Sequence, residues 1–315
     1  MLRLEDLNVF VQAADSGSLS AAARDLGVAP AVASTAIKRL ELTLDTPLFI
    51  RSTRSLRLTR EGERYLQHVR EVLRLLADGQ AEISRDKAAL GGTLHIAAPS
   101  DFGRNVLLEW LDEFQLAHPK LAMRLRFSDR VTDMYRQPVD LAIRYGLPED
   151  SNLIALPLAA ANRRVLCASP AYLARHGPPA SVDALRQHNC LLFMLGDQVH
   201  NRWRFHRGRE TVEVAVKGDR VSDDAEVVRR WALSGQGIAY KSWLDMARDV
   251  QAGRLIVLLP DWQGEAAPLN LLCPHRTLLS AAVTRLRDDL QARCNVLVAE
   301  MAQAVKSAVK SAVKS

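Results

Sequence analysis

Residues 18–62 constrain the fold more than any other segment, because two short helical patterns flank a tight turn and lead into a basic hairpin. The first helix is predicted from Leu19 to Leu26, and Gly27 ends it because glycine enters the left-handed conformation without steric cost. The second helix begins at Pro30, whose fixed φ and missing N–H suit a first helical position. Its buried side follows i, i+4, i+7 spacing, with Ala33, Ile37 and Leu40. The segment therefore predicts a helix-turn-helix.

The exposed face of the second helix carries the candidate contact residues. Helix-turn-helix proteins place this face in the DNA major groove. Methyl groups there fit the thymine methyl group, and short polar or basic side chains reach base edges and phosphates. We therefore expect this chain to bind double-stranded DNA at chosen sites through Pro30, Ala31, Ser34, Thr35 and Lys38.

The hairpin that follows is predicted as a basic wing. Leu48–Arg51 and Leu56–Thr59 have strand patterns, and residues 52–55 form the turn between them. Guanidinium groups placed here can bind phosphate or enter a minor groove. The alternative is an ordinary solvated basic turn, which is less favoured directly after a helix-turn-helix. The candidate DNA contacts of the wing are Arg51, Arg54 and Arg57.

Residues 60 to about 89 have one long helical pattern with an apolar seam. Steps of three and four residues along it are typical of a coiled coil. Pairing with a second copy would remove the seam from water, which is favourable at about 25 cal/mol per Å² of apolar area. The alternative is that the seam packs against the chain's own domains. The candidate dimerisation residues are Leu66, Val69, Leu73, Leu76 and Ile83, with Gln80 as one polar member.

After Gly91-Gly92, short apolar strands alternate with helical patterns, which is typical of an α/β domain with mostly parallel sheets. The clearest predicted strands are Leu94–Ala98, Met123–Phe127, Leu141–Arg144, Val165–Ala168, Leu191–Met194 and Ile238–Lys241.

The N-terminal 65 residues closely resemble LysR-type transcriptional regulators, within them the subgroup typified by CrgA and DmlR. The stretches that carry the resemblance are MLRLEDLNVFVQAADSGSLSAAARDLGV and IKRLELTLDTPLFIRSTRSLRLTREGE. It continues more diffusely to about residue 298 through DLAIRYG, LCASPAYLARHG and LSGQGIAY. Family members usually carry a polar run where this chain has Ala29-Pro30-Ala31, and often a long polar residue at Thr35 and Ala36. This departure leaves few hydrogen-bonding side chains for base edges at the start of the recognition helix.

The resemblance implies an N-terminal all-α winged helix-turn-helix, a long linker helix that dimerises, and a C-terminal α/β effector domain of two subdomains, as in periplasmic binding proteins. It also implies a homodimer, or a tetramer of two dimers, that responds to a small-molecule effector. The expected ranges are 1–59 for DNA binding, 60–90 for the linker, 91–300 for the effector domain and 301–315 for a basic low-complexity tail. Within the effector domain we expect subdomain I at about 93–162 and 269–300, and subdomain II at about 163–268.

The candidate effector site follows from strand ends, because ligands in α/β sheets bind beyond the carboxyl ends of strands and near helix N-termini. Ser100, Asp101 and Phe102 follow one strand, and Arg144 and Tyr145 end another. Ser100 and Arg144 would share a rim if their strands are parallel neighbours, so a small organic acid is one candidate ligand. The charge of the ligand stays open, since Asp223 also precedes a helix that faces the cleft.

Each of these residues also has a purely structural interpretation. Ser100 and Asp223 can simply cap helices, and Arg144 can pair with a nearby acid. Phe193 and Trp203, which are candidates for the lining of the second subdomain, can be plain core.

The sequence contains no catalytic or metal-binding motif and implies no cofactor. It lacks a GxSxG elbow, an HExxH pair, a P-loop and a dinucleotide-binding glycine fingerprint. The four cysteines are widely spaced and form no CxxC pair, so buried thiols are favoured over a redox switch. A solute-binding protein or an enzyme could use the same α/β domain. A solute-binding protein would have no use for residues 1–65, and an enzyme would turn over its ligand.

Net charge is +6, but acidic and basic side chains nearly balance over the first 92 residues, so local placement predicts DNA contact better than global charge. No signal-peptide core and no apolar run of about 18 residues is present, which predicts a cytoplasmic protein without a membrane partner. Ala-Val-Lys-Ser repeats from Ala304 to Ser315. This tail is expected either to extend the last helix and fray or to be disordered.

Overall fold

The computed structural model describes residues 2–51, 56–83, 90–130, 139–146, 153–273 and 281–312. The chain divides into two compact units, Met1–Ala89 and Leu90–Ser315. We call them the N-terminal unit and the effector unit.

The N-terminal unit has the predicted helices and hairpin. Its elements are α1 (Leu4–Ser16), α2 (Leu19–Asp25), α3 (Pro30–Leu44), β1 (Phe49–Arg51), β2 (Leu56–Leu58) and α4 (Arg60–Ile83). Gly27 has φ 66°, as the predicted turn requires. Helix α2 ends one residue earlier than predicted, with Leu26 as its C-cap. Residues 84–89, where we predicted the end of the linker helix, lie outside the described residues.

One apolar cluster joins all four helices of this unit. The predicted inner residues Ala33, Ile37 and Leu40 are buried in it, together with Phe10 and Leu48. A bidentate ion pair also ties α1 to α3, because the guanidinium of Arg39 donates to both carboxylate oxygens of Asp6, with Nε 2.7 Å from Oδ2. The sequence pattern did not suggest this pair.

The predicted seam of α4 is divided between the core and the surface. Leu66 and Val69 are buried in the apolar cluster of their own unit, and Leu73 packs against it. The first half of the seam thus follows the alternative interpretation, in which it packs against its own unit. It leaves no apolar stripe there for a second copy of the helix. Further along α4, Val72, Leu75 and Leu76 are 44–50% exposed. The side chain of Ile83 lies outside the described residues.

Gly62, in the first turn of α4, permits a close approach that no other residue allows. A Cβ at this position would lie 2.2 Å from the carbonyl oxygen of Leu48. The absence of a side chain therefore lets α4 begin directly against the residue that precedes the first strand of the wing.

The effector unit is an α/β structure. Its helices are α5 (Ser100–Phe102), α6 (Leu108–Ala117), α7 (Pro170–His176), α8 (Ala225–Leu233), α9 (Trp243–Gln251) and α10 (Ala281–Ala312). A π-helical turn, Gly103–Leu107, joins α5 to α6, and a 3-10 turn covers Asp183–Gln187. Its strands are β3 (Gly92–Ala98), β4 (Leu121–Phe127), β5 (Leu141–Tyr145), β6 (Ile154–Ala159), β7 (Arg164–Ala168), β8 (Cys190–Leu195), β9 (Gln198–His200), β10 (Arg202–Arg207), β11 (Glu210–Ala215), β12 (Val221–Ser222), β13 (Ile238–Ser242), β14 (Ile256–Val257), β15 (Gln263–Gly264) and β16 (Leu269–Cys273).

Two main sheets divide this unit into halves. The first half contains the five-stranded sheet β4-β3-β5-β16-β6, and the second contains the sheet β12-β8-β13-β7-β14 with β9 beside β8, plus the small sheet β11-β10-β15. All six predicted strands are present. The expectation of mostly parallel sheets is wrong, because both main sheets are mixed. In the first sheet β3 is parallel to β4 and β5, but β16 is antiparallel to β5 and β6.

The last helix packs on both halves. Val283, Leu286 and Leu290 of α10 are buried in the core of the first half. Met301 and Val305 pack against the core of the second half. The helix continues to Ala312, so the part of the repetitive tail that the structure describes extends the helix, as one of the two sequence alternatives predicted.

The four cysteines are free and buried, as predicted. Burial in apolar surroundings raises the pKa of each thiol above its ordinary value. Thiols held in this protonated state are poor nucleophiles.

Candidate DNA-binding face and effector cleft

The outer face of α3 presents the residues that the sequence analysis selected. Pro30, Ala31, Thr35 and Lys38 are exposed, and Ser34 is half-buried. The hydroxyl of Thr35 donates its hydrogen to the carbonyl of Ala31 at 2.8 Å, so its methyl group and its oxygen lone pairs remain to face a partner. Ala36, by contrast, is 3% exposed and belongs to the core.

The wing is a short antiparallel hairpin in which Ile50 pairs with Arg57 and Arg51 pairs with Leu56. Arg57 is exposed. Arg54 lies outside the described residues, as does the side chain of Arg51. The start of the first strand is fixed to α3, because the carboxylate of Glu41 accepts from the N–H groups of Leu48 at 2.8 Å and Phe49 at 3.1 Å.

The candidate effector site is a cleft between the two halves of the effector unit. Strands β3 and β5 are parallel neighbours, with Ala97 opposite Ala142, so Ser100 and Arg144 follow from the same sheet edge as predicted. A cavity of about 320 Å³ opens there, which is at the small end for ligand pockets. Its lining comes from both halves: Ser100, Phe127, Ser128, Asp129, Arg130, Asp223 and Asp224.

Asp129 lines this cavity and hydrogen-bonds to both halves of the unit. Its carboxylate accepts from the N–H of Ser100 at 2.9 Å, at the start of α5, and from the N–H of Ala225 at 2.8 Å, at the start of α8. It also accepts from the hydroxyl of Ser100. A single carboxylate therefore satisfies donors from both halves of the unit.

Asp224 lies beside it and caps α8, accepting from the N–H groups of Glu226 at 2.8 Å and Val227 at 3.4 Å. Its Oδ1 is also 3.0 Å from the hydroxyl of Ser100. Burial alone would raise the pKa of Asp224, but these hydrogen bonds lower the pKa below its ordinary value. Sequence analysis selected the neighbouring Asp223, which is half exposed and pairs with Arg130 at 2.9 Å.

Arg144 does not face the cavity. Its guanidinium donates to the carbonyl of Ser128 and lies 3.5 Å from the carbonyl of Arg130. The loop that carries Asp129 thus fills the space where we expected a ligand between Ser100 and Arg144. Arg144 therefore holds that loop in place. Sequence analysis had instead proposed that its guanidinium binds the ligand directly.

Several other selected residues are structural in this arrangement. Phe102 is fully buried and contacts the rings of Trp110 and Tyr145 edge-on. Trp203 is 1% exposed in the core of the second half, and its indole N–H donates to the carbonyl of His200 at 3.1 Å. Phe193 packs against the other core cluster of that half. These three side chains do not line the cavity.

Asp101 and Tyr145 join the two halves outside the cavity lining. Asp101 forms an ion pair with Lys241 of β13, and the Tyr145 hydroxyl donates to Asp245 of α9 at 2.6 Å. Lys241 also donates to the carbonyl of Ala225 at 2.7 Å and lies 3.5 Å from Asp245. Sequence analysis missed Lys241. The sequence signal that could have revealed it is a single charged residue, the lysine, in the otherwise uncharged strand β13.

Burial raises the pKa of Asp101 to about 7, although the charge of Lys241 opposes this rise. For Lys241, burial would lower the pKa, but Asp101 and Asp245 raise it above its ordinary value. The ammonium therefore stays charged, while the carboxylate titrates near neutrality.

Within the described ranges, no group of three or more histidine, cysteine, aspartate or glutamate side chains is placed to hold a metal ion. No helix among those residues is long and apolar enough to cross a membrane.

The N-terminal unit is a winged helix-turn-helix whose second helix, α3, has an exposed outer face, and the effector unit has two main sheets and a cleft. This combination defines a ligand-responsive DNA-binding regulator. Comparison with known proteins gives the same class. Residues 4–63 match the family described as bacterial regulatory helix-turn-helix protein, lysR family, and residues 87–295 match the LysR substrate binding domain.

Individual relatives match over most of their length. The chain is 36% identical to the HTH-type transcriptional regulator DmlR of Escherichia coli K12 over 259 residues, which cover 82% of this chain and 84% of the relative. It is 34% identical to the HTH-type transcriptional activator TtdR of the same strain, over 83% of this chain and 84% of that one. The solved structure of CrgA from Neisseria meningitidis, a LysR-type transcriptional regulator, matches with 30% identity and a TM-score of 0.55, covering 94% of this chain and 98% of that chain.

The chain belongs to the LysR family of transcriptional regulators. Its N-terminal unit is the DNA-binding part, its effector unit binds a small molecule, and it is not an enzyme.

Proposed function

We propose that the outer face of α3 and the wing bind an operator, and that a small organic acid in the cleft of the effector unit controls this binding. The observation that carries the second part is the donor set around Asp129, where N–H groups of Ser100 and Ala225 hold one carboxylate. A free carboxylate of similar size suits the same donors, since backbone N–H groups at helix starts favour anions.

The DNA-binding surface is small and weakly polar. Thr35 and Ala31 offer methyl groups, and Lys38 and Arg57 offer positive charge. We therefore expect base selection to depend on thymine methyl contacts and DNA shape, with phosphate contacts providing much of the affinity. Because its proposed target is operator DNA, the protein is proposed to act in the cytoplasm.

We further propose that the chain acts as a homodimer or a tetramer of dimers, paired through α4. Val72, Leu75 and Leu76 are exposed on that helix, and a second copy of α4 would remove them from water.

The test begins with genome-wide footprinting of the full-length protein, which identifies an operator. Gel-shift titrations on that operator then use a panel of small carboxylic acids, each with its uncharged amide as the matched control. The proposal expects at least one acid, and not its amide, to change operator affinity. If no acid changes it, or if amides act equally well, the organic-acid assignment is wrong. If footprinting finds no preferred site, the operator assignment is wrong.

A further inference from the structure

We infer that Asp129 is an internal latch of the effector unit, and that an effector carboxylate acts by competing with it for the same donors. The Asp129 latch is defined as the carboxylate of Asp129 with the N–H groups of Ser100 and Ala225. The inference rests on the proposed function, because it takes the effector to be an organic acid.

The latch joins the two halves through one side chain. Asp129 and Ser100 belong to the first half, while Ala225 begins α8 in the second half. Two other contacts between the halves, Asp101 with Lys241 and Tyr145 with Asp245, lie outside the cavity lining, whereas Arg130 with Asp223 lies within it. The latch combines two properties: the half-buried Asp129 lines the cavity, where a small ligand can reach it, and its carboxylate accepts a backbone N–H from each half.

The side chain of Arg144 holds the loop around Asp129 in place. Arg144 donates to the carbonyl of Ser128 and lies 3.5 Å from that of Arg130, on either side of Asp129. The carboxylate is therefore presented to the two N–H groups by a fixed support. An organic acid that replaced it would not need to move Arg144.

The latch is also opposed by a neighbouring charge. Asp224 Oδ1 and Asp129 Oδ2 both lie against the one hydroxyl of Ser100, which has a single hydrogen to donate. Only one carboxylate at a time can accept it, and the two like charges repel. The guanidinium of Arg104 offsets part of this repulsion, because its Nη1 lies 3.5 Å from Asp224 Oδ2 and 2.8 Å from Glu226 Oε2. This repulsion weakens the hold of the Asp129 carboxylate on its donors, so an effector carboxylate can replace it.

Competition follows from the donor count. Each backbone N–H supplies one hydrogen, and the N–H groups of Ser100 and Ala225 are both directed at Asp129. A ligand carboxylate can take them only if Asp129 releases them. Asp129 would then set the effector concentration at which the two halves separate or re-pack.

The experiment is chemical rescue by acetate, which resembles the carboxyl end of the aspartate side chain. All five tryptophans lie in the effector unit, so tryptophan fluorescence of the full-length protein reports the thermal unfolding of that unit. Asp129→Ala should lower its Tm. Acetate at about ten times its dissociation constant should raise the Tm of this variant by about 3–6 °C relative to chloride at equal ionic strength.

Two proteins control for general effects of acetate. Wild type already has its donors occupied, and Asp223→Ala removes a cavity carboxylate that contacts Arg130 and no helix N–H. Both should respond to acetate much less than Asp129→Ala. An acetate response that is no larger in Asp129→Ala than in these controls would overturn the latch.

If Asp129→Ala does not fold, Asp129→Asn provides the test. Its amide keeps the shape and one acceptor but loses the charge, so its Tm should be lower than that of wild type and should rise with acetate. Equality with wild type in both measurements overturns the latch. Failure of the proposed function is a separate result, because it is measured as operator binding by the wild-type protein with the acid panel.

Discussion

Asp101 and Lys241 form a buried ion pair that joins the two halves of the effector unit, with exposed fractions of 0% and 4% for the two side chains. Asp245 lies 3.5 Å from the same ammonium, so one cation serves two buried carboxylates. Removing the cation should therefore be far more harmful than removing an exposed lysine.

Lys241→Met should lower the free energy of unfolding of the effector unit by about 3–5 kcal/mol, because it removes the ammonium that lies against the buried carboxylates of Asp101 and Asp245. Urea titration followed by tryptophan fluorescence measures this loss. Lys217→Met is the control, since Lys217 is exposed and its loss should change stability by less than about 0.5 kcal/mol. Equal losses in the two variants would contradict the arrangement.

The stability of the effector unit should depend on the titration of Asp101. Its pKa in the folded protein is about 7, above the ordinary value, so the folded state binds more protons than the unfolded state from about pH 4 to about pH 7. The contribution of Asp101 to the unfolding free energy must then fall as pH rises through this window, by at most about 1.4 kcal/mol per pH unit.

Asp101→Asn cannot titrate and should show a shallower fall over the same pH window. The measurement is the difference in slope between wild type and variant in urea titrations at several pH values. Parallel slopes would mean that Asp101 keeps the same pKa in both states.

The recognition face of α3 can be tested with two matched threonines. Thr35 and Thr43 are both exposed on α3, and each hydroxyl donates to the carbonyl four residues earlier at 2.8 Å. Thr35→Glu should weaken operator binding strongly, since it places a carboxylate against phosphates and base acceptors. Thr43→Glu adds the same charge two turns further along and should weaken binding much less. Gel-shift titrations that rank the two variants equally would show that the face is misplaced.

The wing can be tested through Arg57, which is exposed on β2. If its guanidinium contacts one phosphate, Arg57→Ala should reduce the slope of log K against log salt by about 0.9. Operator affinity is measured over a range of salt concentrations. Arg186→Ala in the effector unit removes another exposed arginine and should leave the slope unchanged. A slope that Arg57→Ala does not alter would indicate that this side chain faces solvent in the complex.

The pairing of α4 can be tested at Leu76, which is 44% exposed. Leu76→Asp would bury a carboxylate between two copies of the helix at a cost of several kcal/mol, so the oligomer should dissociate. Sedimentation velocity measures the change. Leu42→Asp is the control, because Leu42 is 81% exposed on α3, outside the proposed interface. A Leu76→Asp protein that sediments like wild type would exclude α4 as the dimer contact.

Much of the N-terminal unit was predictable from the sequence alone, because its signals are local. Gly27 and Pro30 specify the turn and the start of α3, and Ala33, Ile37 and Leu40 mark its buried side within eight residues. Six strands of the effector unit were recognised for the same reason. Their ends also placed Ser100 and Arg144 on one edge of the first sheet, as parallel neighbouring strands require.

The tertiary structure decided which side chains meet at that edge. Asp129 and Ala225 are 96 residues apart, and Asp101 and Lys241 are 140 residues apart, so no local pattern relates them. The same holds for α4, where helical spacing marks Leu66 and Leu76 alike, although only the first is covered by its own unit. Helical and strand periods identify the face of an element that avoids water. What covers that face, and which carboxylate takes the N–H groups at a helix start, depends on how distant segments pack.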